Sequence, residues 1–114
     1  MSRARTLNIS VRAAGNAAVV DLEGAIDLAN SVVLRSTLFE QLRANSRLAL
    51  NMSGVRYIDS AGIATLIEAL KESHHLKKDF RLFGVGETVH AVLKLTNLLQ
   101  VFQIFDIEEH ALDS

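Results

Sequence analysis

The sequence predicts an α/β fold, in which a mixed, mostly parallel β-sheet carries packed helices in the order β-β-α-β-α-β-α-β-α. Segments with the apolar pattern of strands take turns with segments whose apolar residues recur every three or four positions, as in amphipathic helices. A glycine turn between the first two strands predicts an antiparallel hairpin, whereas helices between the later strands predict parallel crossovers. The 114 residues suffice for one domain, which we expect to span 1–114 with its core over about 7–105.

The chain begins with the predicted hairpin. Residues 7–11 alternate between apolar and polar, which is the pattern of a half-buried strand. Gly15-Asn16 follows as a turn signal, and residues 18–22 form the second strand. Asp27 is predicted to cap a first helix that runs to about Ala44. The apolar stripe of this helix is formed by Leu34, Leu38 and Leu42, with Phe39 at its edge.

The middle of the chain is predicted to hold a buried strand and a second helix. Residues 48–52 are apolar apart from Asn51, as expected in the middle of a sheet. A short loop then leads to a helix over about 61–74. The apolar residues on one face of this helix are Ile63, Leu66, Ile67 and Leu70.

The last third continues the alternation. The remaining predicted elements are a strand at 80–83, a helix over about 87–96 that buries Val89, Val92 and Leu93, a short strand at 102–105, and a brief helix that Asp106 caps and that runs through Ala111. Asn97 follows the third helix, where a residue that tolerates left-handed backbone geometry is needed to end it.

Asp59-Ser60-Ala61-Gly62-Ile63 forms the candidate site, between the third strand and the second helix. The Ser60 hydroxyl is expected at the mouth of that helix, where unpaired amide N–H groups and the helix dipole stabilise negative charge. A phosphate on Ser60 would change the local surface by about −1.5 to −2 charges. The alternative is plain helix capping by Asp59 or Ser60. In that case Gly62 needs its own reason, such as the close approach of another backbone or of a partner.

Composition excludes several classes of function. With 12 basic and 13 acidic side chains, the net charge of −1 gives no basic excess for binding nucleic acid. The chain has no cysteine, which excludes disulfides, thiolate metal sites and cysteine nucleophiles and fits a reducing compartment. No apolar run approaches the roughly 20 residues that span a bilayer, and none follows Arg3 and Arg5 as in a signal peptide. We therefore expect a cytoplasmic protein without membrane insertion.

The sequence also gives no positive sign of catalysis. His74 and His75 lie about 20 Å from Ser60 at 1.5 Å of rise per residue, too far for a hydrolase base. The Gly-x-Ser-x-Gly frame is absent, and adjacent histidines on a helix point in different directions, so they do not pair on a metal. Gly84-Val85-Gly86-Glu87 lacks the third glycine and the Lys-Ser/Thr of a phosphate-binding loop. We predict no enzyme, no metal and no cofactor.

Three segments, in this order of elements, resemble the STAS domain and more narrowly the bacterial anti-sigma factor antagonists. They are Gly24-Ala25-Ile26-Asp27-Leu28 before the first helix, Asp59-Ser60-Ala61-Gly62-Ile63 before the second, and Leu95-Thr96-Asn97-Leu98 after the third. The resemblance covers about Leu7 to Phe105. Ala61 stands where the antagonists usually have Ser or Thr, and Asn97 replaces the usual Gly.

The resemblance implies a partner-switching regulator of transcription. Ser60 would be phosphorylated by a partner that is both an anti-sigma factor and a GHKL-type serine kinase, and a PP2C-type phosphatase would remove the phosphate. The docking surface around Ser60 would be lined by Asp27, Asp59, Ala61 and Gly62. Two alternatives stay open: a constitutive STAS subunit of a lipid-transport ATPase, and a small nucleotide-binding or hydrolytic α/β protein.

Val33 is the last candidate for the docking surface. The helical wheel places it, with Val32 beside it, opposite the leucine stripe of the first helix. An apolar side chain on the wet side of a helix can mark a contact surface, although single exposed apolar residues are common. We predict that Val33 is partly exposed and flanks the partner-binding surface next to Asp27 and Ser60.

Overall fold

The computed structural model describes residues 6–113, which form a five-stranded sheet in the spatial order β1-β2-β3-β4-β5. The strands are β1 (Leu7–Ala14), β2 (Ala17–Ile26), β3 (Arg47–Ile58), β4 (Asp79–Phe83) and β5 (Gln103–Phe105). The helices are α1 (Ser31–Ala44), α2 (Ser60–Leu76), α3 (Glu87–Leu95) and α4 (Glu108–Leu112). The predicted α/β class and element order are confirmed. Arg3 and Arg5, which entered the signal-peptide argument, lie outside the described residues.

The sheet is mixed, as predicted. β1 and β2 form an antiparallel hairpin, and each later neighbouring pair is parallel. The hairpin turns at Gly15-Asn16, where Gly15 has a φ of +64° that glycine adopts without the steric cost of a side chain. Because β2 and β3 are parallel neighbours, their last residues, Ile26 and Ile58, lie side by side. This pairing brings the segments that follow the two strands close together, at the C-terminal ends of the strands.

The short loop expected after residue 52 is wrong, because β3 continues to Ile58. Its pairing with β2 persists through two register irregularities, one of them between Asp21 and Glu23. At Gly54 the strands approach so closely that an added Cβ would lie 2.7 Å from the carbonyl oxygen of Leu22. Pairing with the distant strand β2 thus holds residues 53–58 in an extended conformation. A local apolar pattern does not predict such pairing.

The core divides between the two faces of the sheet. The first face carries α1, α2 and α3, and its fully buried side chains include Leu34, Leu38 and Leu42 of α1, Leu50 and Met52 of β3, and Leu66 of α2. The second face carries α4, where Ala111 packs against Val19, Ala49 and Phe83. The leucine stripe predicted for α1 is confirmed, and Phe39 lies at its edge, half-buried beneath the guanidinium of Arg35.

Two predicted caps are wrong. Asp27 does not cap α1, because residues 28–30 form a separate turn and Asn30 takes the N-cap position of the helix. Asp106 stands one residue before Ile107, the N-cap of α4. Its carboxylate accepts a hydrogen bond from the backbone N–H of Ile107 at 2.8 Å. Both aspartates therefore order the chain just ahead of a helix instead of capping the helix itself.

The other helix ends follow the sequence more closely. Asn97 adopts a left-handed conformation, with a φ of +59°, directly after the C-cap Thr96 of α3, as predicted. The second helix begins at Ser60, one residue earlier than predicted, and it continues to Leu76. It ends at Lys77, whose left-handed backbone has the same φ of +59°.

Candidate functional site

The candidate site lies at the C-terminal ends of the neighbouring strands β2 and β3. The backbone N–H of Asp59 donates a hydrogen bond of 3.1 Å to the carbonyl oxygen of Ile26, which extends the strand pairing by one residue. Asp27 begins the turn to α1, and Ser60 begins α2. The sheet thus brings together two segments that are about 30 residues apart in the sequence.

Asp59 is the N-cap of α2 and also the link between the two segments. One carboxylate oxygen, Oδ1, accepts a hydrogen bond from the N–H of Gly62 at 3.0 Å, and Oδ2 accepts one from the N–H of Leu28 at 3.2 Å. The sequence left open whether Asp59 or Ser60 caps the helix, and the geometry selects Asp59. Ser60 is therefore released from the capping role.

The Ser60 side chain points into solvent at the first helical position of α2. Within residues 6–113 its hydroxyl forms no hydrogen bond. The hydroxyl lies at the N-terminus of α2, which is the positive end of the helix dipole, so a phosphate on this oxygen would meet a favourable field from the helix. The hydroxyl is thus both accessible to another protein and electrostatically suited to carry negative charge.

Gly62 is buried and allows α2 to pack against the end of β2. A Cβ at this position would lie 2.7 Å from Ile58 Cγ1, 2.8 Å from Ile26 Cγ2 and 2.9 Å from the carbonyl oxygen of Ile26. Of the two reasons that the sequence offered for this glycine, the approach of another backbone is present in the fold. Its membership of a docking surface stays a prediction.

Asp27 and Asn30 hold the turn before α1 in place. The Asp27 Oδ1 accepts hydrogen bonds from the N–H groups of Ala29 at 3.0 Å and Asn30 at 3.3 Å. In return, the Asn30 Oδ1 accepts from the N–H of Asp27 at 3.0 Å, and its Nδ2 donates to the carbonyl oxygen of Ala25 at 2.8 Å. These reciprocal bonds fix the turn in a conformation that exposes Leu28.

Three apolar side chains on this turn and on the start of α1 form what we call the apolar patch: Leu28, Val32 and Val33. Their exposed fractions are 74%, 74% and 60%, so all three are mostly in water. The exposure predicted for Val33 is confirmed. Leu28 was missed by the sequence analysis. Its exposure could have been predicted from the sequence, because Leu28 is a single leucine between the turn-forming residues Asp27 and Asn30.

The other candidates do not form a site. His74 and His75 lie in the last turn of α2, at the opposite end of the helix from Ser60. Gly84, with a φ of +69°, makes a tight strand-to-helix turn against Ser53. Across residues 6–113 there is no cluster of three or more His, Cys, Asp or Glu side chains that could hold a metal ion. No helix in that part of the chain is both long and apolar enough to cross a membrane.

Comparison with known proteins matches residues 8–111 to the STAS domain family. The anti-sigma F factor antagonist of Paenibacillus polymyxa is 25% identical over 96 residues, which cover 82% of each chain. The solved structure of the anti-sigma factor antagonist SpoIIAA in its unphosphorylated form superimposes with a TM-score of 0.80 at 19% identity, covering 93% of this chain and 94% of SpoIIAA. A sulfate transporter family protein from Wolinella succinogenes shares the fold, with a TM-score of 0.76 at 19% identity over 87% of this chain and 84% of that protein.

Proposed function

The chain belongs to the STAS domain family, and from this premise we propose that it is a non-enzymatic partner-switching protein of the anti-sigma factor antagonist type. Its unphosphorylated form binds, in the cytoplasm, a protein that is both an anti-sigma factor and a GHKL-type serine kinase. Phosphorylation of Ser60 by that partner releases it, and a PP2C-type phosphatase restores the binding form. The binding of the anti-sigma factor frees a sigma factor for transcription.

The observation that carries this proposal is the free hydroxyl of Ser60 beside an exposed apolar patch. A kinase must reach the hydroxyl, and a binding partner must cover enough apolar surface to offset the entropy lost on association. The hydroxyl and the apolar patch lie close together at the C-terminal ends of β2 and β3, because the N–H of Leu28 donates a hydrogen bond to Asp59, the residue before Ser60. Asp27, Asp59 and Ala61 complete the proposed surface, and Gly62 supports it from beneath.

The switch follows from charge. Docking removes Ser60 from water together with its neighbours, two of which, Asp27 and Asp59, are acidic. A phosphate adds about −1.5 to −2 charges to this acidic site, so the partner must then desolvate a dianion and match its charge. A loss of only about 2.7 kcal/mol in binding free energy lowers the affinity a hundredfold. No change of fold is needed for release.

The proposal is tested with the purified cognate kinase. The kinase and ATP should label Ser60 stoichiometrically, and mass spectrometry should find no second site, because Ala61 lacks the neighbouring hydroxyl. Calorimetry should show that Ser60→Ala binds the kinase as wild type does, with ATP no longer causing release. Ser60→Asp should bind more weakly, although it carries only one charge. Label on another residue, or equal binding by all three proteins, would refute the switch.

A second candidate is a constitutive STAS subunit of a membrane transporter, such as a lipid-transport ATPase. The observation that favours it is the shared fold with a sulfate transporter family protein. In this case the apolar patch would contact the transporter permanently, and Ser60 would only begin α2. Affinity purification from cells separates the two candidates, because a permease that is retained equally by wild type and by Ser60→Asp would support the subunit.

A further inference from the structure

Strand β1 lies at the edge of the sheet and has unusually little protection there. It is eight residues long, and each residue from Leu7 to Ala14 has a partner on β2 without a bulge. No strand within residues 6–113 pairs with its outer edge. Proteins usually guard such an edge with a short strand, a bulge, a proline or charged side chains, because its free N–H and C=O groups can bind another strand. The chain has no proline, and Arg12 is the single charged residue in β1.

Arg12 does not guard the edge, because its guanidinium is drawn toward the second face of the sheet. Its Nε and Nη2 donate to Asp21 on β2 at 2.6 and 3.0 Å. The Nη1 and Nη2 also donate to Glu108 on α4 at 3.2 and 2.8 Å. The positive charge is therefore partly balanced within the chain, and it opposes an approaching strand less than an unpaired charge would.

The other side of β1 carries apolar surface that the helices leave uncovered. Leu7 and Ile9 pack partly against the main core. Val11 stands opposite the fully buried Val20, yet 45% of its surface is exposed, and Ala13 beyond it is exposed as well. The apolar side of the strand thus continues past the core, directly beside the open edge.

We propose that two copies of this chain associate through their β1 strands, which pair antiparallel about a two-fold axis at Val11 and join the sheets into one of ten strands. On the first face of the sheet, which carries α1, α2 and α3, Val11 is opposite Val11 of the second copy, and Ile9 is opposite its Ala13. On the other side, Ser10 meets Arg12 of the second copy, and Asn8 meets its Ala14.

This pairing is self-complementary, as a two-fold contact requires. It brings apolar residues together on one face and opposes no like charges on the other. A two-fold axis at Arg12 would place the two guanidinium groups directly opposite each other, which disfavours that register. None of the residues assigned to the docking surface belongs to β1. The dimer can therefore be confirmed or refuted independently of the proposed switch.

Sedimentation equilibrium from low to several hundred micromolar protein tests the dimer. Wild type should show a reversible monomer–dimer equilibrium, and Val11→Lys, which places two ammonium groups at the axis, should raise the dissociation constant by at least about tenfold. Val101→Lys is the matched control, since Val101 has the same 45% exposure outside β1, and it should leave the equilibrium unchanged. A monomer at all concentrations, or a dimer insensitive to Val11→Lys, would overturn the proposal.

Opposite charges at Ser10 separate the dimer from effects inside one chain. Within the chain, Ser10 stands opposite Asp21, so Ser10→Lys should favour the fold and Ser10→Glu should disfavour it. In the dimer, Ser10 faces Arg12 of the second copy, so Ser10→Glu should strengthen association and Ser10→Lys should weaken it. If association changes in the same direction as the thermal stability, the proposed pairing is wrong.

The absence of cysteine makes a cross-linking test unambiguous. Residues directly opposite in an antiparallel pair have Cα atoms roughly 4.5–5.5 Å apart, within the range of a disulfide. Val11→Cys should therefore form a covalent dimer under mild oxidation, and Val101→Cys should stay monomeric on a denaturing gel. Equal cross-linking of the two variants would indicate random collision and would also overturn the pairing.

Discussion

Gly62 lets the candidate site form, because α2 begins where there is no room for a side chain. We predict that Gly62→Ala destabilises the protein by about 1–3 kcal/mol, as overpacking does, although alanine is the better helix former by about 1 kcal/mol. Urea denaturation measures the change. Gly86→Ala, where an added Cβ meets nothing within 4 Å, is the control and should cost less. A stabilised Gly62→Ala protein would show that α2 can move away from Ile26 without loss.

Asp59 combines a cap with a charge, and two substitutions separate these properties. We predict that Asp59→Ala costs about 0.5–2 kcal/mol of stability, because Gly62 and Leu28 both lose their acceptor. Asn is an equally good N-cap, so Asp59→Asn should stay within about 0.5 kcal/mol of wild type. The measurement is thermal unfolding followed by circular dichroism. Equal losses for the two variants would show that the negative charge of Asp59, rather than its capping bonds, stabilises the site.

Individual residues also show where sequence reasoning reaches its limit. The position of Ser60 at the start of a helix and the need for a close neighbour at Gly62 were both predictable, because they follow from local rules for helix ends. The bond from the N–H of Leu28 to Asp59 was not predictable, because only the pairing of β2 with β3 brings these two residues within reach.

At the scale of elements, Arg12 links β1 to both β2 and α4. It donates hydrogen bonds to Asp21 on β2 and to Glu108 on α4. The hydrogen bonds from Arg12 lower the pKa of the Asp21 carboxyl below its usual 3.8, an effect that Asn51 adds to and partial burial opposes. The charged form of Asp21 is thus favoured in the folded state. Stability from this group is present above pH 3.8 and is lost as the pH falls through the lower pKa of the folded protein.

We therefore predict that Arg12→Gln lowers the melting temperature at neutral pH and that this difference shrinks as the pH falls below 3.8 and through the lowered pKa of Asp21 in the folded wild type. The melting temperature of both proteins, measured from pH 7 to pH 2 at low concentration, checks the prediction. Arg43→Gln, at an exposed position near the end of α1, is the control and should not show this convergence. A constant difference at all pH values would mean that Arg12 acts through packing instead of through its ion pairs.

The elements themselves were predicted unevenly, for a physical reason. The buried faces of α1 and α2 follow from the helical period, so their leucines were placed correctly. The caps near Asp27 and Asp106 were misplaced because each aspartate bonds to N–H groups of the chain just ahead of its helix. The continuation of β3 through residues 53–58, in contrast, depends on contacts with the distant strand β2. A local pattern carries no information on such contacts, because the same residues would suit a loop.

At the scale of the whole molecule, the two proposed contact surfaces lie on different elements, the apolar patch on the turn before α1 and on α1 itself, and the dimer edge on β1. A partner that docks at Ser60 therefore need not disturb the dimer. A dimer would present two docking surfaces to partners that are themselves dimeric, which would raise the effective affinity through the second contact.

The docking surface can be tested at this scale through Val33, which contributes nothing to the core. Val33→Lys should change the free energy of unfolding by less than about 0.5 kcal/mol, as surface substitutions do, and should lower the affinity for the kinase partner. Leu95→Lys is the matched control, since Leu95 is 85% exposed on α3, outside the proposed surface, and it should leave binding intact. The two variants carry the same added charge, so a difference between them reports position alone. If Val33→Lys binds as tightly as Leu95→Lys, the apolar patch takes no part in docking, and the contact must centre on α2 instead.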